Sequence, residues 1–205
     1  MFEPKPKVIA ICGIKAPIDP DFRIMCEYGA AAEGKDTKAL CDIAGRFFFA
    51  GLPEGIDGKG AAEAMAGFYA DGLAPDHDDK GGISHKEPRP CFDFREDEAL
   101  FYAAFLSEYG IDLETAKLHW FTFCALFRGL PDECRLKRIM GIRSENLNEI
   151  KSPAEKARIR KLKGVFALKK AKERKYKSAA EHDAAMKAEY EARLAQIREM
   201  KKNGS

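Results

Sequence analysis

The segment LHWFTFCALFRGL, residues 118–130, places the strongest constraint on how this chain can fold. It contains the only Trp of the sequence, and its large apolar side chains cover nearly the whole circumference of a helix. A helix that is apolar on all sides must be buried, either within the body of its own protein or by a partner. The sequence leaves both alternatives open, and each requires other helices to surround this one.

The rest of the chain supports a mostly helical body. Segments of helical composition are separated by Gly and Pro, and Asp21 and Asp36 stand where N-caps are expected. The segment that begins at Asp112 and ends before Gly129 is predicted to form one helix. Only residues 7–18, KVIAICGIKAPI, have strand character, and they predict a small hairpin around Gly13. The expected fold class is therefore all-α apart from this hairpin.

Charge divides the sequence near residue 150. Residues 151–205 carry 17 Lys and Arg against 7 Asp and Glu, whereas the remainder carries 18 basic against 26 acidic side chains. We therefore predict a helical body over 1–150 and a basic helical extension over 151–205. From Pro153 to Lys202 the only Gly is Gly164, so one long helix is expected, with a break near Gly164 left open.

The extension has two further properties that bear on its role. Its second half contains a thin apolar seam with helical spacing, Met186, Tyr190, Leu194 and Ile197. Its basic side chains could neutralise the phosphates of a nucleic acid, although interspersed acids dilute any continuous basic stripe. A solvated helix or one that docks on an acidic surface is the alternative.

Two near-matches to ligand-binding loops fail on chemistry. The stretch GAAAEGKDT, residues 29–37, has the glycine and lysine spacing of a phosphate loop, but Asp36 stands where Ser or Thr should hold Mg²⁺. Residues 76–87 resemble a calcium loop, but Lys80 stands where an oxygen ligand is required. We therefore expect no cofactor and no metal, and we interpret the two stretches as a helix end and a polar linker.

No arrangement of residues points to catalysis. His119 has no second His or Cys four residues away, and a packed, hydrogen-bonded His is the favoured interpretation. The six Cys include no pair with metal or redox spacing. No apolar run is long enough to span a membrane, and the N-terminus lacks a secretory signal, so a cytoplasmic protein that is not an enzyme is expected.

Residues 91–150 carry a recognisable combination of short elements. Tyr-Gly-Ile-Asp-Leu at 109–113, Leu-His-Trp at 118–120, Gly-Leu-Pro at 129–131 and Ile-Arg at 142–143 occur together at this spacing. The combination resembles the bacteriophage gene-product-fifteen family, and the resemblance extends over about residues 17–168. The first sixteen residues match poorly, and residues 169–205 extend past the usual end of the family.

The resemblance implies a phage or prophage tail assembly protein. Members are regarded as tail assembly chaperones, which are thought to bind the long helical tape measure protein before the tail tube encloses it. This role predicts exposed aromatic side chains for partner binding, and we expect them among Phe47, Phe48, Phe49, Trp120, Phe121 and Phe127. Arg143 is expected to be structural and to pair with an acid such as Asp93 or Asp112. Other tail proteins are alternative partners, nucleic acid is a rival partner, and the oligomeric state is left open.

Overall fold

The computed structural model describes residues 5–74 and 91–169, and these contain seven α-helices and one two-stranded antiparallel sheet. The strands are β1 (Val8–Ile11) and β2 (Ile14–Pro17), and the helices are α1 (Phe22–Gly34), α2 (Thr37–Phe47), α3 (Gly58–Leu73), α4 (Glu98–Tyr109), α5 (Trp120–Arg128), α6 (Arg135–Ser144) and α7 (Pro153–Phe166). The prediction of a mostly helical fold with an N-terminal hairpin is confirmed. No helix within these residues combines the length and hydrophobicity needed to cross a bilayer.

The hairpin turns at Cys12 and Gly13. Both residues have positive φ, 50° and 83°, as a two-residue turn between twisted antiparallel strands requires. Ile11 pairs with Ile14 next to the turn, and Ile11 and Ala16 are buried. The alternation of apolar residues around Gly13 therefore places one face of the hairpin on the helical body.

Helix α5 lies at the centre of the core. Trp120, Phe123 and Cys124 are 0–1% exposed, and the Phe123 ring stacks between Phe22 of α1 and Phe105 of α4, with centroid distances of 4.7 and 4.9 Å. Of the two sequence alternatives for this segment, burial within its own body is therefore the one observed for these side chains. The aromatic stack joins three helices through one ring.

The start of α5 was predicted wrongly. The helix begins at Trp120 rather than at Asp112, because residues 118–120 pair with residues 20–22 of the chain. Phe22 N donates to Leu118 O at 3.1 Å, and Trp120 N donates to Pro20 O at 2.7 Å. These backbone hydrogen bonds hold residues 118–119 extended, and His119 then caps the helix.

The stretch that resembles a phosphate loop is a helix end followed by a helix start. Helix α1 continues through Ala30–Ala32 to Gly34, Lys35 takes a left-handed conformation, and Asp36 caps α2 by accepting from Ala39 N at 3.0 Å. Asp21 caps α1 in the same way, so both predicted caps are confirmed. Gly29 is needed for packing rather than for phosphate, since an added Cβ would lie 2.4 Å from the Tyr69 hydroxyl oxygen.

Helix α7 packs against α6, and the segment after it returns to the body. Lys163 Nζ donates to Arg143 O at 2.7 Å, and Leu168 is 5% exposed. Helix α7 ends at Phe166, two residues after Gly164, where the sequence allowed a break. The remainder of the predicted extension, including the apolar seam, lies outside the described residues, and so does the calcium-loop near-match. The boundary at residue 150 stays a prediction.

Candidate functional site

The aromatic residues predicted to contact a partner are mostly interior. Phe47, Phe48, Trp120 and Phe127 are 0–6% exposed, so these four do not supply the exposed aromatic surface that was expected within this set. They fill the space between helices, where removal of aromatic surface from water stabilises the fold. Phe121 is half-buried and stacks on Phe68 at 4.8 Å. Of the six, only Phe49 is well exposed, at 65%.

The structure instead brings together a groove that the sequence did not reveal. It lies between α1 and α4, has a volume of about 700 Å³ and is partly open to solvent. Phe22, Phe101 and Phe123 form its floor, and Cys26 and Ala30 of α1 contribute one wall. The floor is continuous with the aromatic core, so its shape is fixed by packed rings rather than by mobile side chains.

The opposite wall is the solvent-facing side of α4. Ala99 and Tyr102 line the groove, with Ala99 exposed and Tyr102 half-buried. Leu106 lies one turn further along the helix and is 44% exposed. The sequence of α4, EALFYAAFLSEY, is apolar on both sides, and this property is the signal that could have identified the groove. One side contributes to the core and the other leaves apolar surface in solvent.

Five charged residues line the groove, and two of them, Arg23 and Glu27, form salt bridges within the protein. Arg23 pairs with Asp21 and donates through Nη2 to the backbone oxygens of Leu113, Glu114 and Ala116 at 2.7–2.9 Å. Glu27 is paired with Arg46. These contacts orient the Arg23 and Glu27 side chains along the rim of the groove.

The nucleophilic groups near the groove are held in their neutral forms. Burial, reinforced by the nearby Cys124, raises the pKa of the Cys26 thiol well above its ordinary value, and burial raises that of Cys124 to about 12. The Asp112 carboxylate raises the pKa of Tyr102. A neutral thiol is a poor nucleophile and a poor metal ligand. Within residues 5–74 and 91–169, no group of three His, Cys, Asp or Glu side chains is arranged to hold a metal ion.

His119 is a packed, hydrogen-bonded residue, as its sequence context favoured. Its Nδ1 accepts from Phe121 N at 3.1 Å, which caps α5, and its Nε2 lies 2.8 Å from Pro6 O. Because Pro6 O can only accept, Nε2 carries the proton and the ring is neutral. Burial lowers the pKa of His119, with the nearby Lys5 and Lys7 acting in the same direction and the Pro6 hydrogen bond opposing them.

Arg143 joins α4, α6 and α7. Its guanidinium pairs with the buried Asp97 at 2.6 and 2.9 Å, and it also donates to Phe166 O at 2.6 Å and to Cys91 O at 3.1 Å. The predicted structural role of Arg143 and its pairing with an acid are observed, but the acid is Asp97 rather than Asp93 or Asp112, the two examples given. Asp93 is close by and accepts from Arg95 N and Glu96 N, so it shapes the turn before α4 instead.

The elements of the sequence signature thus have structural roles around the groove. Gly110 ends α4 in a left-handed conformation with φ of 65°. Leu113 O receives the Arg23 side chain, and His119 and Arg143 hold α5 and α4 in place. Leu113 also lines the groove, whereas Gly110, His119 and Arg143 position its walls and floor without lining it.

Comparison with protein families gives a match for residues 69–168 to the family described as Bacteriophage Gp15 protein. The match ends where the sequence resemblance ended but begins at residue 69 rather than near residue 17. It includes α4, α5, α6 and α7, and hence the wall formed by α4 and two of the three floor residues, Phe101 and Phe123, but not Phe22 or the wall formed by α1. Comparison with curated proteins and with solved structures gave no match.

Proposed function

The chain belongs, through residues 69–168, to the Bacteriophage Gp15 protein family, and on this basis we propose that it is a tail assembly chaperone that binds the tape measure protein during tail morphogenesis. In this role it acts in the host cytoplasm before the tail is complete. It holds apolar helical segments of the tape measure protein that would otherwise aggregate.

The observation that carries the proposal is the groove between α1 and α4. An amphipathic helix binds a protein by laying its apolar face into a groove of this kind. A helix about 10 Å across that rises about 1.5 Å per residue occupies roughly 120 Å³ per residue. The groove volume of about 700 Å³ therefore suits the inserted half of about three helical turns.

The chemistry of the groove favours a binding role over a catalytic one. Its floor is made of three phenylalanine rings, and the wall formed by α4 presents Ala99 and Tyr102. The thiol of Cys26 is held neutral, and Arg23 is occupied by Asp21 and three backbone oxygens. An apolar floor bordered by the charged residues Arg95, Glu98 and Glu114 selects a partner by its apolar side chains, its shape and its charge.

Co-purification of the two proteins tests the proposal. The full chain is expressed together with a tape measure protein from the same phage or prophage, and the amount recovered with it is measured. Ala99→Arg places a long charged side chain across the groove at an exposed position, so we expect binding to weaken about tenfold or more, a change of about 1.4 kcal/mol. Ala66→Arg is the matched control, because Ala66 is also exposed but lies on α3, away from the groove.

Thermal unfolding of both variants shows whether a loss of binding has a structural cause, and both are expected to unfold near the wild-type temperature. The proposal is supported if only Ala99→Arg loses the tape measure protein. It is overturned if wild type recovers none, or if the two variants lose it equally.

A further inference from the structure

The last described residue, Lys169, lies close to the groove, and its position indicates which segment of the chain could occupy the groove. We propose that the C-terminal segment 170–205 lies in the α1–α4 groove of its own chain and covers it until a partner displaces it. The displacement step rests on the proposed function, whereas occupancy of the groove by this segment does not.

The first observation is the direction in which the chain leaves the body. Lys169 N donates to Glu96 Oε2 at 2.8 Å, and Leu168 beside it is buried. Arg95 and Glu98, which flank Glu96 closely in the chain, both line the groove. The contact with Glu96 therefore places Lys169, the last described residue, close to the groove and beside the N-terminus of α4.

The length of the segment is sufficient for it to fold back. Residues 170–181 precede the apolar seam, and these twelve residues span up to roughly 40 Å when extended. A body of about 150 residues has a radius of gyration of roughly 15 Å. The seam can therefore reach any part of the groove without strain in the connection.

The sequence of the segment matches what the groove can accept. Met186, Tyr190, Leu194 and Ile197 recur at intervals of four, four and three residues, which places them on one face of a helix. A face of this kind is the ligand that an apolar groove binds. Aromatic rings on the floor and exposed Ala99 on the wall provide the complementary surface.

Charge favours this segment over a second copy of the body. Residues 170–205 carry 10 basic against 6 acidic side chains, and the groove is lined by the carboxylates of Glu27, Glu98 and Glu114. Two arginines, Arg23 and Arg95, also line it. Arg23 pairs with Asp21 and Glu27 pairs with Arg46, which leaves Glu98 and Glu114 against Arg95, an excess of one negative charge. A second body would bring like charge, because residues 1–150 carry 18 basic against 26 acidic side chains, and like charges disfavour association.

Photo-crosslinking of the full chain, without any partner, tests the occupancy. A photoreactive amino acid replaces Ala99 in one preparation and Ala66 in a matched control, and crosslinked peptides are identified by mass spectrometry. We expect crosslinks from position 99 to peptides within residues 182–200 in the monomeric species, at least fivefold above those from position 66. No such crosslinks, equal yields from the two positions, or crosslinks confined to a dimeric species would overturn the proposal.

A second variant separates occupancy from displacement. Leu194→Asp together with Ile197→Asp removes the apolar seam while leaving the body intact, so the crosslink from position 99 is expected to fall at least fivefold. The same variant is expected to recover more tape measure protein than wild type.

An unchanged crosslink yield would overturn the proposed occupancy of the groove. A lost crosslink without a gain in recovery would overturn the proposed displacement. Failure of every variant, wild type included, to recover the tape measure protein contradicts the proposed function and leaves the crosslinking result to decide the occupancy.

Discussion

Gly72 lets the backbone of α3 come within contact of the indole of Trp120. An added Cβ at this position would lie 2.1 Å from Trp120 Nε1. The indole is held where it is by its hydrogen bond to Tyr69 O at 3.2 Å and by stacking on the Tyr69 ring at 5.3 Å. Close packing therefore requires glycine at position 72. The indole cannot move away from an added Cβ without losing its hydrogen bond or its stacking on Tyr69.

Gly72→Ala is expected to destabilise the fold by about 1–3 kcal/mol, because overpacking forces side chains and backbone to shift. Urea denaturation followed by Trp fluorescence measures the change. Gly67→Ala is the matched control in the same helix, since its Cβ meets nothing within 4 Å. The control is expected to be neutral or to stabilise by up to about 1 kcal/mol. Equal effects at both positions would contradict the assignment.

His119 makes the stability of the fold depend on pH. The pKa of His119 is lowered in the folded state, first by burial, so the unfolded chain takes up a proton at this site more readily than the folded one. Stability from this residue is present above the unfolded value of about 6.5. It is lost as pH falls through that value towards the lowered folded one. Protonation of Nδ1 also removes the acceptor for Phe121 N.

We therefore expect the unfolding midpoint in urea to fall between pH 7.5 and pH 5, with part of this change removed by His119→Asn. Asparagine keeps a capping acceptor for α5 but does not titrate. The difference between wild type and variant at the two pH values isolates the contribution of His119 from those of other titrating groups. A variant with the same pH dependence as wild type would show that the imidazole does not titrate differently on folding.

At the scale of the element, local signals determined the helix ends that the sequence predicted correctly. Asp21 and Asp36 cap their helices through their own side chains, and the turn at Cys12 and Gly13 follows from two residues. The start of α5 could not be predicted in this way, because it depends on pairing between residues 118–120 and 20–22, about a hundred residues apart in the chain. Local propensity favoured a helix there, but the long-range hydrogen bonds hold the backbone of residues 118–119 extended instead.

Arg143 ties three helices together and offers a test of this element of the fold. Arg143→Met leaves Asp97 buried without its partner, since the Arg143 and Asp97 side chains are only 11% and 3% exposed. Removing one member of a buried ion pair costs about 3–5 kcal/mol. Chemical denaturation measures this loss. Arg158→Met is the control, because its pair with Glu155 is exposed, and it is expected to have little effect. A small loss for Arg143→Met would contradict the inferred role.

At the scale of the whole molecule, the groove follows from how three helices assemble. The sequence identified an aromatic-rich chain, but it did not show that Phe47, Phe48, Trp120 and Phe127 are interior. The periodicity of apolar residues cannot distinguish a side chain that is buried in the core from one that is exposed on a partner-binding surface. The groove exists because α1 and α4 stand on opposite sides of Phe123, an arrangement that no single segment of sequence specifies.

Whether residues 151–169 belong to the body is a property of the whole molecule. Composition places a boundary at residue 150, yet Leu168 is 5% exposed and Arg143 donates to Phe166 O. If this segment unfolds together with the body, a destabilising substitution at Leu168 must also shift the unfolding transition reported by the fluorescence of Trp120, the only Trp of the chain. Cooperative unfolding of a single domain has this consequence.

Leu168→Asp is therefore expected to lower the stability reported by Trp120 fluorescence in urea by about 2–4 kcal/mol, because it places a carboxylate in an apolar site. Val165→Asp introduces the same group three residues earlier, where the side chain is 64% exposed, and is expected to leave the transition almost unchanged. An equally small effect of Leu168→Asp would mean that the segment unfolds independently. The compositional boundary at residue 150 would then also separate two parts of the chain that unfold independently. A large effect at Leu168 alone would instead place that boundary after residue 169, where the chain passes Glu96 and the rim of the groove.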